Sequence, residues 1–154
     1  MDKDSFHSLD DLDLRILSVL SEDARKSYRE VAKKLDVASG TVYNRIKKMT
    51  DKGVIKGYIP LVDHEKLGYI FTVLILIQVE GKHLVEVEEK LATPNEVLSV
   101  YDITGEFDVA VIARFKNTKS MNIFIKNTLK IPYIRRTVTN VVLNIVKEDR
   151  GVRA

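Results

Sequence analysis

Apolar residues recur every three or four positions along the first sixty residues, which is the period of amphipathic helices. The helices predicted by this spacing cover 9–21, 28–35 and 39–52. Ser8 with Asp11, and Ser27 with Glu30, form capping patterns ahead of the first two helices. A short linker strand that ends at Pro60 is predicted after the third helix. Residues 1–60 are therefore expected to form a small helical domain with a linker strand.

The remainder of the chain alternates between strand-like and helical patterns in the order β-α-β-β-α-β. The predicted elements are 70–79, 83–92, 97–103, 108–115, 118–129 and 137–146. A turn at 104–106 joins the second and third strands into a hairpin. The second helix is expected to turn Met121, Ile125 and Leu129 inward. This order is that of a ferredoxin-like sandwich, so we predict an α+β chain with domains at 1–60 and 61–154.

The first predicted strand is apolar on both of its sides. Val73 and Ile75 point to one face of the sheet, and Leu74 and Leu76 point to the other. Both helices of a ferredoxin-like fold cover the same face, so the opposite apolar face needs a second subunit to exclude water. We expect a homodimer, with Val73 and Ile75 in its interface.

Composition excludes several classes of protein. The chain has 154 residues, of which 45% are apolar and 31% are charged, so it can bury a core. Its longest apolar run, 70–79, is about half of a bilayer span, and its acidic N-terminus lacks the basic region of a signal peptide. It has no Cys, which suits a reducing compartment and excludes thiolate zinc sites. We expect a cytoplasmic protein with no membrane partner.

The net charge of +3 is small, but the charges are unevenly distributed. Residues 38–58 contain five basic side chains against one acidic, whereas residues 1–24 contain two basic side chains against seven acidic. A local basic stretch is typical of a surface that binds a polyanion such as nucleic acid. The alternative is an ordinary solvated helix face, which charge alone does not exclude.

The second and third predicted helices, joined by a tight turn, form a helix-turn-helix candidate. With Val42, Ile46 and Met49 facing the core, the other positions of the third helix face outward. Asn can contact adenine, Lys and Arg reach guanine edges or phosphates, and Gly or Thr allows the backbone to approach closely. The predicted DNA contacts are Ser39, Gly40, Thr41, Tyr43, Asn44, Arg45, Lys47 and Lys48. The alternative is a three-helix bundle with a polar outer surface.

The hairpin turn is a second candidate site. Gly105 can adopt a positive φ and present backbone N–H groups, while Asp108 supplies a carboxylate at the start of the next strand. Thr137 and Thr139 share one face of the last predicted strand and can supply hydroxyls. The residues of this candidate site are Thr104, Gly105, Glu106, Phe107, Asp108, Thr137 and Thr139. The alternative is a hairpin turn without a ligand and a strand of ordinary composition.

No metal site and no cofactor is expected. His7, His64 and His83 do not follow any metal-ligand spacing. The sequence contains no phosphate-binding Walker loop, dinucleotide fingerprint or nucleophile elbow. The residues therefore give no pattern typical of an enzyme.

Several short motifs spread over the chain resemble one family. The run Gly53–Tyr58 (GVIKGY) is the most specific of them. The others are Leu9-Asp10, Asp13, Ile16-Leu17, Ala24-Arg25, Val31-Ala32, Thr41-Val42, Arg45-Ile46, Thr104–Asp108 and Thr137–Thr139. Together they are similar to the leucine-responsive regulator and AsnC (Lrp/AsnC) family, also called feast/famine regulators. Where that family usually has Gly and Ser before the recognition helix, this chain has Asp36 and Ala38, so Ser39 is the expected N-cap.

The resemblance implies a transcription factor with a winged-helix-like helix-turn-helix domain and a ferredoxin-like domain that dimerises and binds an amino acid. In that family the turn matching Gly105 to Asp108 lies in an amino-acid pocket between dimers. We therefore expect a sequence-specific regulator of a pseudo-palindromic operator in double-stranded DNA. The sequence leaves open whether its dimers form octamers. Two alternatives are an enzyme like the sirohaem decarboxylases, which have a similar two-domain architecture, and a ligand-independent architectural DNA-binding protein.

Overall fold

The computed structural model describes residues 9–148, which fall into two compact units. The first unit contains residues 9–61 and 147–148, and the second contains Val62–Val146. The helices of the first unit are α1 (Asp11–Glu22), α2 (Tyr28–Leu35) and α3 (Ser39–Asp51). All three contribute to its core, and the predicted inward positions of α3, Val42, Ile46 and Met49, are confirmed. Among residues 9–148, no helix is long and apolar enough to cross a membrane.

α1 begins with two aspartates, and the carboxylate of each accepts the backbone N–H of the other. The backbone N–H of Asp13 donates to Asp10 Oδ1 at 3.0 Å, and the backbone N–H of Asp10 donates to Asp13 Oδ2 at 3.3 Å. The predicted cap of Ser8 and Asp11 differs from this arrangement. Ser8 lies outside the described residues, and Asp11 is the first helical residue rather than the third. Asp and Ser are equally good N-caps, because the side-chain oxygen of either accepts an unpaired N–H of the first turn.

α2 has the predicted boundaries because signals at both of its ends are local. Ser27 and Glu30 form the predicted capping box, with the backbone N–H of Ser27 donating to Glu30 Oε2 at 2.7 Å. The helix ends at Leu35, and its C-cap Asp36 adopts a left-handed φ of 56°. Gly adopts this conformation most readily, and Asp is among the few other residues that tolerate it. Asp36 therefore supplies the sharp turn that leads toward α3.

α3 begins at the predicted residue, but its N-cap differs from the prediction. Ser39 is already the first helical residue, and the N-cap is Ala38, which forms no side-chain cap hydrogen bond. Ala38 has an extended backbone, and its carbonyl accepts the N–H groups of Thr41 and Val42 at 3.0 and 3.3 Å. The backbone turn after α2 thus fixes the first residue of α3, although a better capping side chain lies one position later.

The segment between α3 and the first strand is not a strand. Gly53, with a φ of 70°, follows the end of α3, and the N–H groups of Val54 and Ile55 both donate to the carbonyl of Met49 at 2.8 and 3.2 Å. A strand requires a neighbour, and the pairings of the four described strands involve no residue from 54 to 62. The linker strand predicted to end at Pro60 is therefore absent from the described part of the chain.

The second unit is a four-stranded antiparallel sheet with the strand order β2-β3-β1-β4. Its elements are β1 (Phe71–Val79), α4 (Leu84–Ala92), β2 (Val97–Asp102), β3 (Val109–Phe115), α5 (Thr118–Thr128) and β4 (Ile134–Val141). A single 3-10 turn, Gly81–His83, leads into α4. The predicted βαββαβ order and the ferredoxin-like fold are confirmed.

The last strand is displaced from its predicted range. β4 covers Ile134–Val141 instead of 137–146. The N–H of Val142 still donates to the carbonyl of Thr72 at 2.9 Å. Because β1 begins at Phe71, it offers almost no further backbone to pair with the apolar residues that follow Val142. The end of β4 is set by the start of its neighbour and not by its own composition.

The inward side of α5 also differs from the prediction at one position. Leu129 is 56% exposed, whereas Phe124 and Thr128 are buried. Leu129 is the C-cap residue, so it lies beyond the last turn of the helix that packs on the sheet. Its predicted inward position is therefore wrong.

The two faces of the sheet differ in what covers them. Val73 and Ile75 are fully buried in the core beneath the helices, together with Phe124 of α5. The prediction that Val73 and Ile75 lie in a dimer interface is therefore wrong. Their neighbours in β1, Leu74 and Leu76, lie on the other face and are half-buried. Alternation along a strand shows that two apolar faces exist, but it does not show which one the helices cover.

The face without helices has an apolar centre. Leu76 lies opposite Ala110 on one side and Val138 on the other, and Leu74 lies opposite Ile112. Directly opposite residues of an antiparallel pair point to the same face, so these side chains are neighbours. We call these five residues the helix-free face.

Candidate functional site

The outward side of α3 carries most of the predicted DNA contacts. The exposed members of that set are Ser39, Gly40, Tyr43, Asn44, Lys47 and Lys48, and the half-buried members are Thr41 and Arg45. Residues four positions apart are neighbours on a helix surface, so Asn44 lies beside Lys48. Tyr43 lies beside Lys47 for the same reason. The side chains that can read bases and bind phosphates thus form one continuous surface.

The lysines of this surface keep their charges unpaired. In the part of the chain that the structure describes, neither Lys47 nor Lys48 forms an ion pair. Elsewhere in the same unit, Lys34 at the end of α2 pairs with Glu22 of α1. An unpaired ammonium group on an exposed helix can neutralise a phosphate and release a counterion.

Arg45 faces α1 rather than solvent. Its Nη1 bonds to the carboxylate of Asp10 and lies 3.3 Å from both carboxylate oxygens of Asp13, which is buried. The hydrogen bond to Asp10 raises the pKa of Arg45. The pKa of Asp10 is lowered, first by the backbone N–H of Asp13 and second by Arg45. The structure therefore gives Arg45 a contact that joins α3 to α1.

Tyr43 contacts α2 as well as facing outward. Its ring meets the ring of Tyr28, the first residue of α2, edge-on, with centroids 5.5 Å apart and planes at 67°. Tyr28 is not among the functional residues predicted from the sequence. Its only signal was a large aromatic ring at the start of a short and strongly charged helix.

The predicted effector loop is a turn tied firmly to the sheet. Gly105 has a φ of 132°, as its role in the turn requires. The N–H of Ile103 donates to the carbonyl of Asp108 at 2.9 Å and closes the hairpin. The carboxylate of Asp108 accepts the N–H of Val79 at 2.7 Å through Oδ2, next to a register shift between β1 and β4. Asp108 therefore anchors the loop through Oδ2, and Oδ1 is the other oxygen of the same carboxylate.

The loop also contacts an arginine that sequence analysis missed. Arg136 Nη1 lies 2.9 Å from Glu106 Oε1, and the guanidinium lies over the ring of Phe107 at 5.5 Å from its centroid. Both charged side chains remain more than half exposed. The only signal for this contact in the sequence was that Arg136 directly precedes the predicted site residue Thr137. The structure therefore brings together a cation, a carboxylate and an aromatic ring at the loop.

Thr137 and Thr139 lie on a different face from this cation. They pair with Ile77 and Ile75, which face the helices, whereas Arg136 pairs with Gln78 on the other face of the sheet. Both threonines are half-buried. Within the loop, Glu106 and Phe107 thus contact Arg136, whereas the two threonine side chains lie on the opposite face of the sheet.

The described residues contain no cluster suited to a metal ion. Between residues 9 and 148, no group of three or more His, Asp or Glu side chains could hold one. His7 lies outside this range. His83 instead stacks on Tyr133, with ring centroids 3.5 Å apart.

Comparison with known proteins matches both units. A family model described as the Lrp/AsnC ligand binding domain matches residues 72–152, and one described as winged helix-turn-helix DNA-binding matches residues 9–56. The chain belongs to the Lrp/AsnC family of transcriptional regulators. The resemblance noted in its sequence motifs is confirmed.

Relatives of the same family match nearly the whole chain. An uncharacterised HTH-type transcriptional regulator of Pyrococcus furiosus is 52% identical over 141 residues, which cover 92% of this chain and 95% of the relative. The HTH-type transcriptional regulator FL11 of Pyrococcus horikoshii is 36% identical over 140 residues, covering 91% and 93%. Among solved structures, AsnC of E. coli is 28% identical, covers 96% of this chain and 100% of that one, and has a TM-score of 0.88.

These comparisons establish the class of the protein. The relatives are named transcriptional regulators, and both domains of this Lrp/AsnC member match models of a DNA-binding and a ligand-binding domain. It is therefore a DNA-binding regulator and not an enzyme. The alternative of a sirohaem-decarboxylase-like activity is excluded.

Replacing Arg45 with Ala is expected to lower the midpoint of thermal unfolding, because Asp10 and the buried Asp13 would then face each other without a cation. Arg15→Ala is a matched control, since Arg15 lies 3.8 Å from Asp11 on the exposed side of α1 and should contribute little. Circular dichroism of the full chain measures both midpoints. Equal midpoints for Arg45→Ala and the unmodified chain would contradict the assigned contact.

Proposed function

We propose that this Lrp/AsnC chain recognises a specific DNA sequence through α3 and that a small amino acid or a related metabolite controls it. The observation that carries the proposal is an exposed Asn44 beside two lysines whose charges no carboxylate within residues 9–148 neutralises. We also propose that it acts in the cytoplasm, which suits a chain without Cys.

Different side chains of α3 would contact bases and phosphates. The Asn44 amide matches the N6 and N7 edge of adenine. Lys47 and Lys48 would bind phosphates, and Gly40 allows close approach because open space surrounds the position of a Cβ. Arg45 would act indirectly, by fixing the orientation of α3 through its contacts to α1. The other proposed contacts are Ser39, Thr41 and Tyr43.

Two copies of the chain would associate through the helix-free face. Leu74, Leu76 and Ile112 leave apolar surface in the middle of this face, and covering it with the same face of a second copy removes that surface from water. Such a dimer has two-fold symmetry and presents two copies of α3. Its operator would be a pseudo-palindrome with half-sites about 34–36 Å apart, or a multiple of that distance.

The effector would bind at the turn that follows β2. Backbone N–H groups near Gly105 and the guanidinium of Arg136 suit an α-carboxylate. Glu106 and the second oxygen of Asp108 suit an α-ammonium group, and the ring of Phe107 would contact the ligand side chain. A carboxylate ligand would compete with Glu106 for Arg136. This exchange gives the loop two arrangements, and the ligand selects one of them.

Asn44→Ala should reduce discrimination between the operator and altered sites by about 1–3 kcal/mol, since it removes a base contact. Lys47→Ala should weaken binding to all sequences and lower the slope of log affinity against log salt by about one, since it removes a phosphate contact. Fluorescence anisotropy of labelled duplexes measures both effects. The control is Lys66→Ala, an exposed lysine of the second unit that pairs with Asp63. If the affinity for DNA does not change with salt or with either α3 substitution, α3 is not the reading helix.

Leu76→Glu should convert the protein into a folded monomer, because it places a charge at the centre of the helix-free face. Light scattering at micromolar concentration measures the mass, and circular dichroism verifies the fold. Val85→Glu, at a position of α4 that is 67% exposed, should leave the mass unchanged. A monomeric unmodified protein, or a Leu76→Glu variant that stays dimeric, would contradict the proposed interface. A mass of eight subunits for the unmodified protein would show that its dimers associate further.

Arg136→Gln should weaken the binding of the effector amino acid by about tenfold or more, because a charged partner of its carboxylate is lost. The neighbouring Arg135→Gln is the control, since Arg135 pairs with Glu80 and does not contact the loop in the described structure. A calorimetric screen of the twenty amino acids identifies the ligand. An amino acid that binds both variants equally would place the site elsewhere, and a screen without any binding would contradict amino-acid sensing.

A further inference from the structure

Two exposed tyrosines meet at the flank of α3, and Tyr58 lies close to one of them. The rings of Tyr28 and Tyr43 are in edge-on contact, and Tyr28, Tyr43 and Tyr58 are 45%, 46% and 54% exposed. The pKa of Tyr58 is raised, first by partial burial of its phenol and second by the phenol of Tyr28 nearby. Tyr28 and Tyr43 therefore form one exposed pair of rings within the first unit, and we call this pair together with Tyr58 the tyrosine cluster.

Core packing does not account for the tyrosine cluster. The buried core of the first unit consists of aliphatic side chains and Met49, and none of the three rings belongs to it. Within residues 9–148, the hydroxyls of these tyrosines form no hydrogen bond to the protein. Exposed rings that carry free hydroxyls are typical of binding surfaces, where one edge packs and the polar tip meets a partner.

The place of Tyr28 relative to α3 favours phosphates over bases. An α-helix with its side chains is about 10–12 Å across, and the major groove is about 12 Å wide, so a helix inserted there fills the groove. Tyr28 belongs to α2 and lies against the flank of α3 through Tyr43. A side chain at the flank of a groove-filling helix meets the sugar–phosphate wall of the groove.

We propose that the hydroxyls of Tyr28 and Tyr58 donate hydrogen bonds to DNA phosphates and thereby set the position of α3 in the major groove. The proposal rests on the proposed role of α3 as the reading helix. Tyrosine is among the residues that bind phosphate oxygens without reading the sequence. A phenol carries no charge, so its contact releases no counterion, in contrast to that of Lys47. The two kinds of phosphate contact therefore differ in their dependence on salt.

Tyr28→Phe and Tyr58→Phe test this proposal because each keeps the ring and removes the hydroxyl. We expect each variant of the full chain to bind two duplexes of unrelated sequence about 3- to 10-fold more weakly, with an unchanged salt slope. Fluorescence anisotropy over a series of salt concentrations measures both quantities. Tyr133→Phe is the matched control, because the ring of Tyr133 stacks on His83 in the second unit. This variant should bind both duplexes with the affinity of the unmodified chain.

The proposal is overturned if both variants bind both duplexes within about twofold of the unmodified chain, which is less than the loss of one hydrogen bond. A loss confined to one duplex would also overturn it, since that result indicates base recognition. Asn44→Ala and Lys47→Ala in the same assay separate this proposal from the proposed function. If these two act as expected and the tyrosine variants do not, the tyrosine contacts alone are refuted. If all four are without effect, α3 is not the reading helix.

Discussion

The orientation of α3 depends on one guanidinium placed between two carboxylates. Asp10 and Asp13 cap α1 reciprocally, which brings two negative charges together at the start of that helix. Such a pair is unfavourable without a cation nearby, and Arg45 of α3 supplies it. Because Asn44 is the adjacent residue of the same helix, the ionic contact that holds Arg45 also fixes the direction in which Asn44 points. The stability of the first unit and the proposed recognition of DNA thus both depend on one turn of α3.

A second carboxylate has a comparable role in the ferredoxin-like unit. Asp108 accepts the N–H of Val79 and so holds the loop after β2 at the end of β1. Glu106 of the same loop forms an exposed ion pair with Arg136 of β4, and the proposed ligand would compete for this pair. If subunits assemble through contacts to this loop, ligand binding and assembly would be thermodynamically linked. Each would then raise the affinity of the other by the same factor. A rigid anchor beside an exchangeable ion pair is a simple basis for such a response.

Predictions from the sequence succeeded where the physical cause is local. The start of α2 follows from Ser27 and Glu30, which lie three residues apart, and the outward side of α3 follows from its apolar period. The contact of Arg45 with Asp10 spans 35 residues, and Asp108 binds a strand end 29 residues away, so no local pattern could reveal either. The helix-covered face of the sheet and the end of β4 depend on neighbouring elements in the same way.

Two copies of α3 are proposed to read a DNA site with two-fold symmetry. Hydroxyl-radical footprinting of genomic fragments selected by the unmodified protein measures this directly. The expected result is a pair of protected stretches on one side of the duplex, with related sequences and centres about 10–10.5 base pairs apart or a multiple of that distance. Continuous protection with no preferred sequence would contradict recognition by α3 and would instead indicate an architectural DNA-binding protein.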